Sequence, residues 1–252
     1  MLLVSDVHGA FDALARVAGM GHPLLVLGDF LNFVDYRTME GMLADVAGRD
    51  FVVRLTDLRE RGDHDAARSM WRDFAAGREE EIRGEYHERI VADYERAGDA
   101  LRGAESYVIY GNVDRPDLLE QMLPAGARFV DGEVVEIEGV RVGFAGGGVA
   151  SIGVPGEIEE DAMARKLVAL GAVDMLCTHV APAVPPLSRD VVGGRRKQSP
   201  AVLDYLLEHR PRWHFFGDIH QPQATRWRVG DTMCVNVGYF RATERPVRHP
   251  AA

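Results

Sequence analysis

The chain has 252 residues, of which 46% are hydrophobic, and its 29 basic and 39 acidic residues give a net charge of −10. This length and apolar content suit a folded protein with a buried core and exclude global disorder. No stretch approaches the ~20 apolar residues of a membrane-spanning helix. The first residues lack the basic segment and cleavage site of a signal peptide. We therefore expect a cytoplasmic protein with no membrane partner.

The net charge and the small numbers of cysteines and lysines narrow the possible classes of protein further. A negative surface argues against nucleic acid as a partner, because such binding needs a basic patch. It leaves room for a small phosphorylated substrate held at a local metal site. Cys177 and Cys234 are too few for a disulfide framework. Lys166 and Lys197 are the only lysines among the 29 basic residues, which we interpret as a compositional bias. The sequence identifies no oligomeric partner.

Five short apolar runs end in polar turns, a pattern typical of buried strands. They cover residues 2–5, 24–27, 107–110, 175–177 and 213–216, and helix-like stretches at 10–20, 117–122, 158–170 and 200–209 lie between several of them. Residues 128–144 and 224–240 have the pattern of antiparallel hairpins, with turns at Asp131-Gly132, Glu138-Gly139 and Gly230-Asp231. Strands that alternate with helices, together with hairpins, predict an α/β fold with mixed sheets.

A helical insertion is predicted between residues 36 and 105 of an otherwise single domain, 1–252. Met70, Trp71 and Phe74 indicate one helix before Gly77. In the next helix, apolar residues at spacings of three and four mark one buried face, formed by Ile82, Tyr86, Ile90, Tyr94, Ala97 and Leu101. These helices are either solvated elements packed beside the core or a cap or dimer contact that restricts access to a site. The loop at 185–199 is expected to be mobile.

Chemically active side chains follow the apolar runs where the strands should end. They lie in the segments Asp6-Val7-His8, Gly28-Asp29, Gly111-Asn112-Val113-Asp114, Thr178-His179 and Gly217-Asp218-Ile219-His220. Ligands of α/β sheets bind beyond the carboxyl ends of strands, so these segments can converge on one crevice. Their carboxylates, imidazoles and amide suit borderline-hard divalent metals such as Mn, Fe or Zn. They are numerous enough for two ions.

Local spacing supports a shared metal centre. In an extended chain the two side chains of Asp6-Val7-His8 fall on the same side, as do those of Asp218-Ile219-His220. Each segment is weak evidence alone, because a lone Asp-x-His is usually an ordinary loop and a lone Gly-Asp is a turn. Residues Asn112 to Asp114 could equally be a helix cap. The prediction of a shared metal centre rests on the occurrence of all five segments in this order, each at the end of a predicted strand.

The same segments resemble the motif of the calcineurin-like metallophosphoesterases. The family pattern is Asp-x-His, Gly-Asp, Gly-Asn-His-Asp/Glu, a later His and Gly-His-x-His, and it occurs here in that order across almost the whole chain. The resemblance implies a four-layer α/β/β/α sandwich of two mixed sheets flanked by helices, with the helical insertion at 36–105. It also implies phosphoester hydrolysis at a dinuclear metal centre, where a metal-bound hydroxide attacks phosphorus.

The resemblance further implies a role for each matching residue. Asp29 would bridge two ions, and Asp29 and Asn112 would be catalytic. Asn112 would also contact the substrate phosphate. Mn or Fe is the expected metal at both positions, with Zn as an alternative. The first ion would be held by Asp6, His8 and His220, and the second by Asn112, His179 and Asp218, with Asp29 shared.

Two positions depart from the family pattern. Val113 stands where the family has a histidine that protonates or stabilises the leaving oxygen, and valine can do neither. Relatives without this histidine resemble phosphodiesterases, so we expect a small phosphodiester as substrate. Asp218 replaces the first histidine of Gly-His-x-His, and a carboxylate still binds Mn or Fe, so the second ion site is changed. The alternatives are a phosphomonoesterase, a nucleotide pyrophosphatase, or a non-catalytic scaffold with a weakened second site.

The remaining candidates receive a structural interpretation. Arg195, Arg196 and Lys197 could contact a phosphate, but a basic triplet in a loop is usually solvated. Cys177 is expected to be a small buried hydrophobe. Of the other histidines, we expect an exposed position for His22, His64, His87 and His249, a helix end for His209 and the core for His214.

Overall fold

The structure, a computed structural model, describes residues 1–151, 153–192, 194 and 196–249. The chain divides into two compact units, one formed by Met1–Phe30 with Tyr94–Ala252 and the other by Leu31–Asp93. Within the described residues, no helix is both long and apolar enough to cross a membrane. Gly193 and Arg195, which belong to the loop predicted to be mobile, lie outside the described residues.

All the strands among the described residues belong to the first unit. In chain order they are β1 (Leu2–Val4), β2 (Leu24–Leu27), β3 (Ser106–Ile109), β4 (Ala127–Phe129), β5 (Val134–Ile137), β6 (Val140–Ala145), β7 (Gly148–Val149), β8 (Glu157–Ile158), β9 (Met175–Thr178), β10 (Trp213–Phe216), β11 (Arg226–Val229), β12 (Thr232–Asn236) and β13 (Val247–Arg248). The five runs predicted as strands are β1, β2, β3, β9 and β10. They are buried on both faces, except at the first residue of β10, which explains their continuous apolar sequence.

The helices occur in both units. They are α1 (Phe11–Ala18), α2 (Met42–Ala47), α3 (Arg49–Glu60), α4 (His64–Ala75), α5 (Glu79–Leu101), α6 (Pro116–Met122), α7 (Glu160–Leu170), α8 (Pro185–Ser188), α9 (Pro200–His209) and α10 (Phe240–Thr243). Helix α9 begins and ends at the predicted residues, 200 and 209, and its N-terminal residues explain where it begins. Ser199 caps it by accepting a hydrogen bond from Val202 N at 3.2 Å, and a proline occupies its first turn.

Two large sheets form the first unit. Sheet one has the strand order β13-β1-β2-β3-β4, and every pairing except that of β13 is parallel. Sheet two has the order β11-β12-β10-β9-β6-β5, with parallel pairings at its centre and antiparallel strands at both edges. The edge strand β11 forms the hairpin predicted at 224–240. Parallel registers, such as Leu3 with Leu25 and His214 with Leu176, align the carboxyl ends of neighbouring strands.

The main hydrophobic core lies between the two sheets. Leu3 and Ile109 of sheet one and Phe144 and Phe215 of sheet two belong to it, and each is at most 2% exposed. A second core joins side chains of α7 and α9 to the other face of sheet two. Each large apolar side chain buried in this way stabilises the fold by roughly 1.5–3 kcal/mol. The predicted α/β fold, with two mixed sheets flanked by helices, is confirmed.

The segment 128–144 forms one hairpin rather than the two that its sequence predicts. Strands β5 and β6 pair around Glu138-Gly139, but β4 pairs in parallel with β3 in sheet one. The chain therefore crosses from sheet one to sheet two near Asp131-Gly132. The segments on either side look alike in the sequence because both supply valines, Val130 and Val135, to the core between the sheets.

The second unit is helical. Asp63 caps α4 by accepting a hydrogen bond from Ala66 N at 3.1 Å, and Phe51 of α3 packs on Phe74 of α4 with ring centres 4.9 Å apart. Helix α5 is 23 residues long, and its last turns belong to the first unit, where Tyr94 is buried. The insertion at 36–105, and its role as a cap or dimer contact, stay predictions.

Candidate metal centre

The carboxyl ends of five parallel strands bring the seven predicted site residues together. All seven belong to the first unit, and none is exposed. The ends of β1, β2 and β3 lie at one edge of sheet one, and those of β9 and β10 lie at one edge of sheet two. Asp6 and His8 follow β1, Asp29 follows β2, Asn112 follows β3, His179 follows β9, and Asp218 and His220 follow β10.

An unusual backbone conformation occurs at four of these residues. The φ angle is 58° at Asp6, 41° at His8, 58° at Asp29 and 65° at Asp218, in the left-handed region that residues other than glycine seldom adopt. Hydrogen bonds between the strand ends hold this conformation, since Asp6 N donates to Gly28 O at 3.0 Å and His8 N donates to Asp29 O at 2.8 Å. Such residues cost about 1–3 kcal/mol each and concentrate at functional sites.

The first ligand group consists of Asp6, His8 and His220. His220 Nε2 lies 3.3 Å from Asp6 Oδ1, and His8 Nε2 lies 3.2 Å from His220 Nε2 and 3.9 Å from Asp6 Oδ1. The ring of Tyr239 stacks on His220 with the ring centres 4.1 Å apart, which restrains the plane of this imidazole. One carboxylate and two imidazoles this close together can hold a single divalent ion.

The second ligand group consists of Asp29, Asn112, His179 and Asp218. His179 Nε2 lies 3.5 Å from Asp29 Oδ1, 3.4 Å from Asn112 Oδ1 and 3.9 Å from Asp218 Oδ1. His179 Nδ1 donates to Leu27 O at 2.7 Å, so Nε2 is the ring atom that faces the group. Asp6, Asp29 and His179 also form a set of ligand atoms close enough for one ion.

Asp29 lies between the two groups. Its Oδ2 is 3.6 Å from His8 Nε2, and its Oδ1 is 3.5 Å from His179 Nε2. Val113 N donates to Asp29 Oδ1 at 3.1 Å, which restrains the carboxylate. The Val113 side chain itself brings no polar atom to the site. Asp29 therefore has the position that a bridging carboxylate would need.

Lys197 enters the second ligand group, where its ammonium forms an ion pair with Asp218 Oδ1. The Lys197 side chain is 38% exposed, whereas that of Asp218 is 1% exposed. Among the described residues, Asp218 Oδ2 is a buried oxygen that has no hydrogen-bond partner. The interpretation of Lys197 as a solvated loop residue is therefore wrong. The sequence did offer one indication of a special role for Lys197, namely that it is a lysine in a chain where all but two of the 29 basic residues are arginine.

The charges in the cluster attract cations. Burial alone would raise the pKa of Asp29, but the neighbouring cationic groups, first among them His179, outweigh it and hold this pKa well below its usual range. Burial alone would lower the pKa of His179, but Asp29, Asp218 and Asp6 raise it to about 10. The carboxylates of the cluster therefore favour positive charge beside them, and an imidazole that binds a metal ion is neutral.

Asp114 supports the site without belonging to either ligand group. Its Oδ2 accepts from Asp29 N at 2.8 Å and from Gly111 N at 2.9 Å, and its Oδ1 accepts from Phe30 N at 3.0 Å. Burial and the negative charge of Asp29 raise the pKa of Asp114 to about 7. Helix α6 begins after Arg115 without a side-chain cap, so the helix-cap interpretation is wrong. Asp114 instead ties the end of β2 to the end of β3.

Two motif glycines leave no room for a side chain beside the carboxylates. A Cβ atom at Gly111 would overlap Asp29 Oδ1, and one at Gly217 would lie 2.6 Å from Asp6 Oδ2. Glycine is required at these positions because the backbone itself packs against the ligand atoms.

Most of the other candidates take the structural positions expected of them. Cys177 is fully buried in the core between the sheets. His209 is half-buried in the last turn of α9. His22, His64 and His87 are exposed, as predicted. None of these residues is part of either ligand group.

Two further histidines are buried in the first unit. His214 is fully buried, as predicted, with its Nε2 2.9 Å from Thr178 Oγ1, and burial lowers its pKa to about 3. The prediction that His249 is exposed is wrong, because it is only 9% exposed. Its ring packs edge-on against Trp213, with the ring centres 5.4 Å apart, a contact that its terminal sequence position did not indicate.

Comparison with known proteins supports the fold. No family model and no curated protein matches the chain. One crystal structure superposes with a TM-score of 0.61 at 16% identity, over 95% of this chain and 90% of its own. The crystal structure of TT1561 of Thermus thermophilus superposes with a TM-score of 0.52 at 12% identity, over 100% of this chain and 98% of its own. At these identities the likeness shows the fold alone.

The two ligand groups differ in how well they fit divalent ions. The first group, with Asp29 as a further donor, offers two carboxylates and two imidazoles, a set that suits Mn, Fe or Zn. In the second group an ammonium already pairs with Asp218, so a divalent ion would meet a positive charge beside its own ligand. The first group fits one divalent ion, whereas an ion in the second group would share Asp218 with the Lys197 ammonium.

Proposed function

We propose that this chain is a cytoplasmic, metal-dependent phosphoester hydrolase of the calcineurin-like metallophosphoesterase family, with a small phosphodiester as substrate. The observation that carries the proposal is the geometry around Asp29, which stands 3.6 Å from His8 and 3.5 Å from His179 and so joins two ligand groups. The order of the site residues along the chain supports the family, and the net charge of −10 favours a small substrate over nucleic acid.

The first ligand group and Asp29 would hold Mn or Fe, with Zn as the alternative. A bound divalent ion supplies Lewis acidity, which withdraws electron density from water and from phosphoryl oxygens. The family pattern would add a second ion at Asn112, His179 and Asp218, with Asp29 shared.

The chain's own groups would orient the substrate. Asn112 is half-buried, and while its Oδ1 faces His179 its amide hydrogens are donors for a phosphoryl oxygen. The Lys197 ammonium brings a positive charge that favours a phosphate anion. Val113 N–H and the backbone of Leu27 restrain Asp29 and His179, so both side chains are held in place before a substrate binds.

Val113 is the reason to prefer a diester. Its side chain cannot donate a proton to the leaving oxygen, so a substrate with a poor alkoxide leaving group would depart slowly. A diester also carries one negative charge, whereas a monoester dianion brings two to a site already built from three carboxylates, Asp6, Asp29 and Asp218. Both considerations favour a phosphodiester with a good leaving group.

The test is hydrolysis by the metal-stripped protein after addition of Mn, with bis-p-nitrophenyl phosphate and p-nitrophenyl phosphate side by side. We expect turnover of the diester that a chelator abolishes and slower turnover of the monoester. The matched control is Asp161→Ala, which removes an exposed carboxylate in α7 and should leave turnover unchanged.

Other outcomes would replace the proposal. Faster turnover of the monoester would favour a phosphomonoesterase, and turnover of a nucleoside pyrophosphate alone would favour a pyrophosphatase. Tight binding of Mn without turnover of any ester would favour a non-catalytic scaffold. The ion pair between Lys197 and Asp218 makes the scaffold a serious competitor, because it weakens the second ligand group as a metal site.

A further inference from the structure

The Lys197 ammonium lies beside the atoms of the second ligand group. Its ammonium pairs with Asp218 Oδ1, and this oxygen lies 3.9 Å from His179 Nε2. His179 Nε2 is in turn 3.5 Å from Asp29 Oδ1. The ammonium thus stands beside the atoms that a second metal ion would use, on the carboxylate that replaces a histidine of the family pattern.

The charges of the cluster balance with one ammonium and one divalent ion. The carboxylates that face the two groups are those of Asp6, Asp29 and Asp218, all at most 3% exposed, and together they carry three negative charges. One divalent ion in the first group and the Lys197 ammonium supply three positive charges. A second divalent ion bound through Asp218 would lie within a few ångströms of the Lys197 ammonium, and two cations on one buried carboxylate repel each other.

The backbone around Lys197 is held in place. Lys197 N donates to Ser188 O at 3.0 Å, and Ser199 N donates to Ala181 O at 2.9 Å, so main-chain bonds flank the side chain. Ser188 Oγ also donates to Gln198 Oε1 at 3.0 Å. The backbone that carries Lys197 is therefore fixed by hydrogen bonds on both sides of the residue whose side chain contacts Asp218.

The residue type fits the position as well. An ammonium is a compact point charge with three donors, whereas a guanidinium is a planar fork. In a chain that uses arginine at all but two of its 29 basic positions, a lysine stands at the one place where a small cation is needed beside Asp218. The other lysine, Lys166, makes an ion pair with Asp131 at 2.8 Å, away from both ligand groups.

We propose that the Lys197 ammonium takes the place of the second metal ion, so that the centre holds one divalent ion and one lysine. This inference rests on the proposed function for the first ion. Asp218 and Lys197 then act as a pair. The Asp218 carboxylate, which replaces the family histidine, holds the Lys197 ammonium, and the ammonium replaces the second metal ion. The ammonium neutralises charge and donates hydrogen bonds, but it supplies no Lewis acidity.

The experiment counts metal ions instead of turnover. The metal-stripped protein is equilibrated with Mn(II), passed through a desalting column and analysed for bound Mn by mass spectrometry and by electron paramagnetic resonance. Two Mn ions ~3.5–4 Å apart give an exchange-coupled spectrum, whereas a single Mn gives six lines. We expect one equivalent and the six-line spectrum from the wild-type protein.

The variants test whether Lys197 causes this count. Lys197→Met removes the ammonium and leaves Asp218 free to ligate, so we expect two equivalents and the coupled spectrum. Lys197→Gln is the second variant in case the first one does not fold, which thermal melting would reveal. Lys166→Met is the matched control, since it removes the other lysine of the chain, and should keep one equivalent.

Each outcome decides the question. Two coupled equivalents in the wild-type protein would overturn the inference and show that a second ion binds with Lys197 in place, with the buried Asp218 Oδ2 as the open ligand. One equivalent in the wild type and in both Lys197 variants would overturn it too, because the lysine would then not exclude the second ion. No bound metal in any variant would instead defeat the proposed function.

Discussion

The two ligand groups meet at Asp29, yet the charges around them differ. The first group combines Asp6 with His8 and His220, whose ligand atoms are close enough to hold one divalent ion. The second group contains Asp218, which already pairs with the Lys197 ammonium. A motif thus gives the positions of candidate ligands, while the neighbouring charges, here the Lys197 ammonium, set the electrostatics at those positions.

The largest effect should follow from Asp29→Ala, because Asp29 faces both groups. We expect a loss of diester turnover of more than ~100-fold, beyond the 10–100-fold that loss of an outer-shell partner costs, together with loss of bound Mn. Steady-state kinetics and metal analysis measure both, with Asp161→Ala as the control. Near-normal turnover in Asp29→Ala would defeat the assignment of the centre.

Metal removal should separate the two groups through thermal stability. At ~100 times the dissociation constant an ion contributes ~2.7 kcal/mol, which corresponds to a rise in melting temperature of about 5–10 °C for a domain of this size. We expect this rise with Mn in the wild type and in Asn112→Ala, and its loss in His220→Ala. Differential scanning calorimetry with and without a chelator measures it. An equal loss in Asn112→Ala and His220→Ala would show that the groups do not act separately.

Asp218→His should convert the second group into the family pattern. The variant removes the carboxylate that holds Lys197, so the ammonium, whose side chain is already 38% exposed, would turn into solvent and leave the ligand group. The imidazole supplies a ligand in place of the carboxylate, so we expect bound Mn to rise from one equivalent to two. Asp218→Ala, which removes the carboxylate without adding a ligand, should stay at one equivalent. Unchanged stoichiometry and affinity in Asp218→His would count against a place for residue 218 in the ligand shell.

The smallest effect concerns His214, which contacts Thr178, the residue before His179. Burial lowers its pKa to about 3, whereas an unfolded histidine titrates near 6.5. Between these values the unfolded state binds a proton that the folded state does not, so stability falls with decreasing pH by up to ~1.4 kcal/mol per pH unit. His214→Gln should remove this contribution. Urea unfolding at pH 7, 6 and 5 measures it, and parallel losses in both proteins would contradict the prediction.

Much of the fold could be predicted because buried strands carry a strong local signal. The runs that became β1, β2, β3, β9 and β10 are continuous apolar segments, since both of their faces are covered. The prediction of a second hairpin in 128–144 was wrong because the same apolar signal marks a buried strand without indicating which strand it pairs with. A valine before the turn and a valine after it enter one core from two different sheets, and nothing local distinguishes that from pairing within one sheet.

Local hydrophobicity and turn residues in the sequence indicate where strands end, and so which side chains stand there. The seven predicted site residues were identified in this way, and the family resemblance implied their roles. Only the tertiary structure decided that Asp29 lies between His8 and His179, that Asp114 ties two strand ends together, and that Lys197 pairs with Asp218. These are contacts between residues far apart in the chain. They depend on how the two sheets pack, and sequence periodicity carries no information about that.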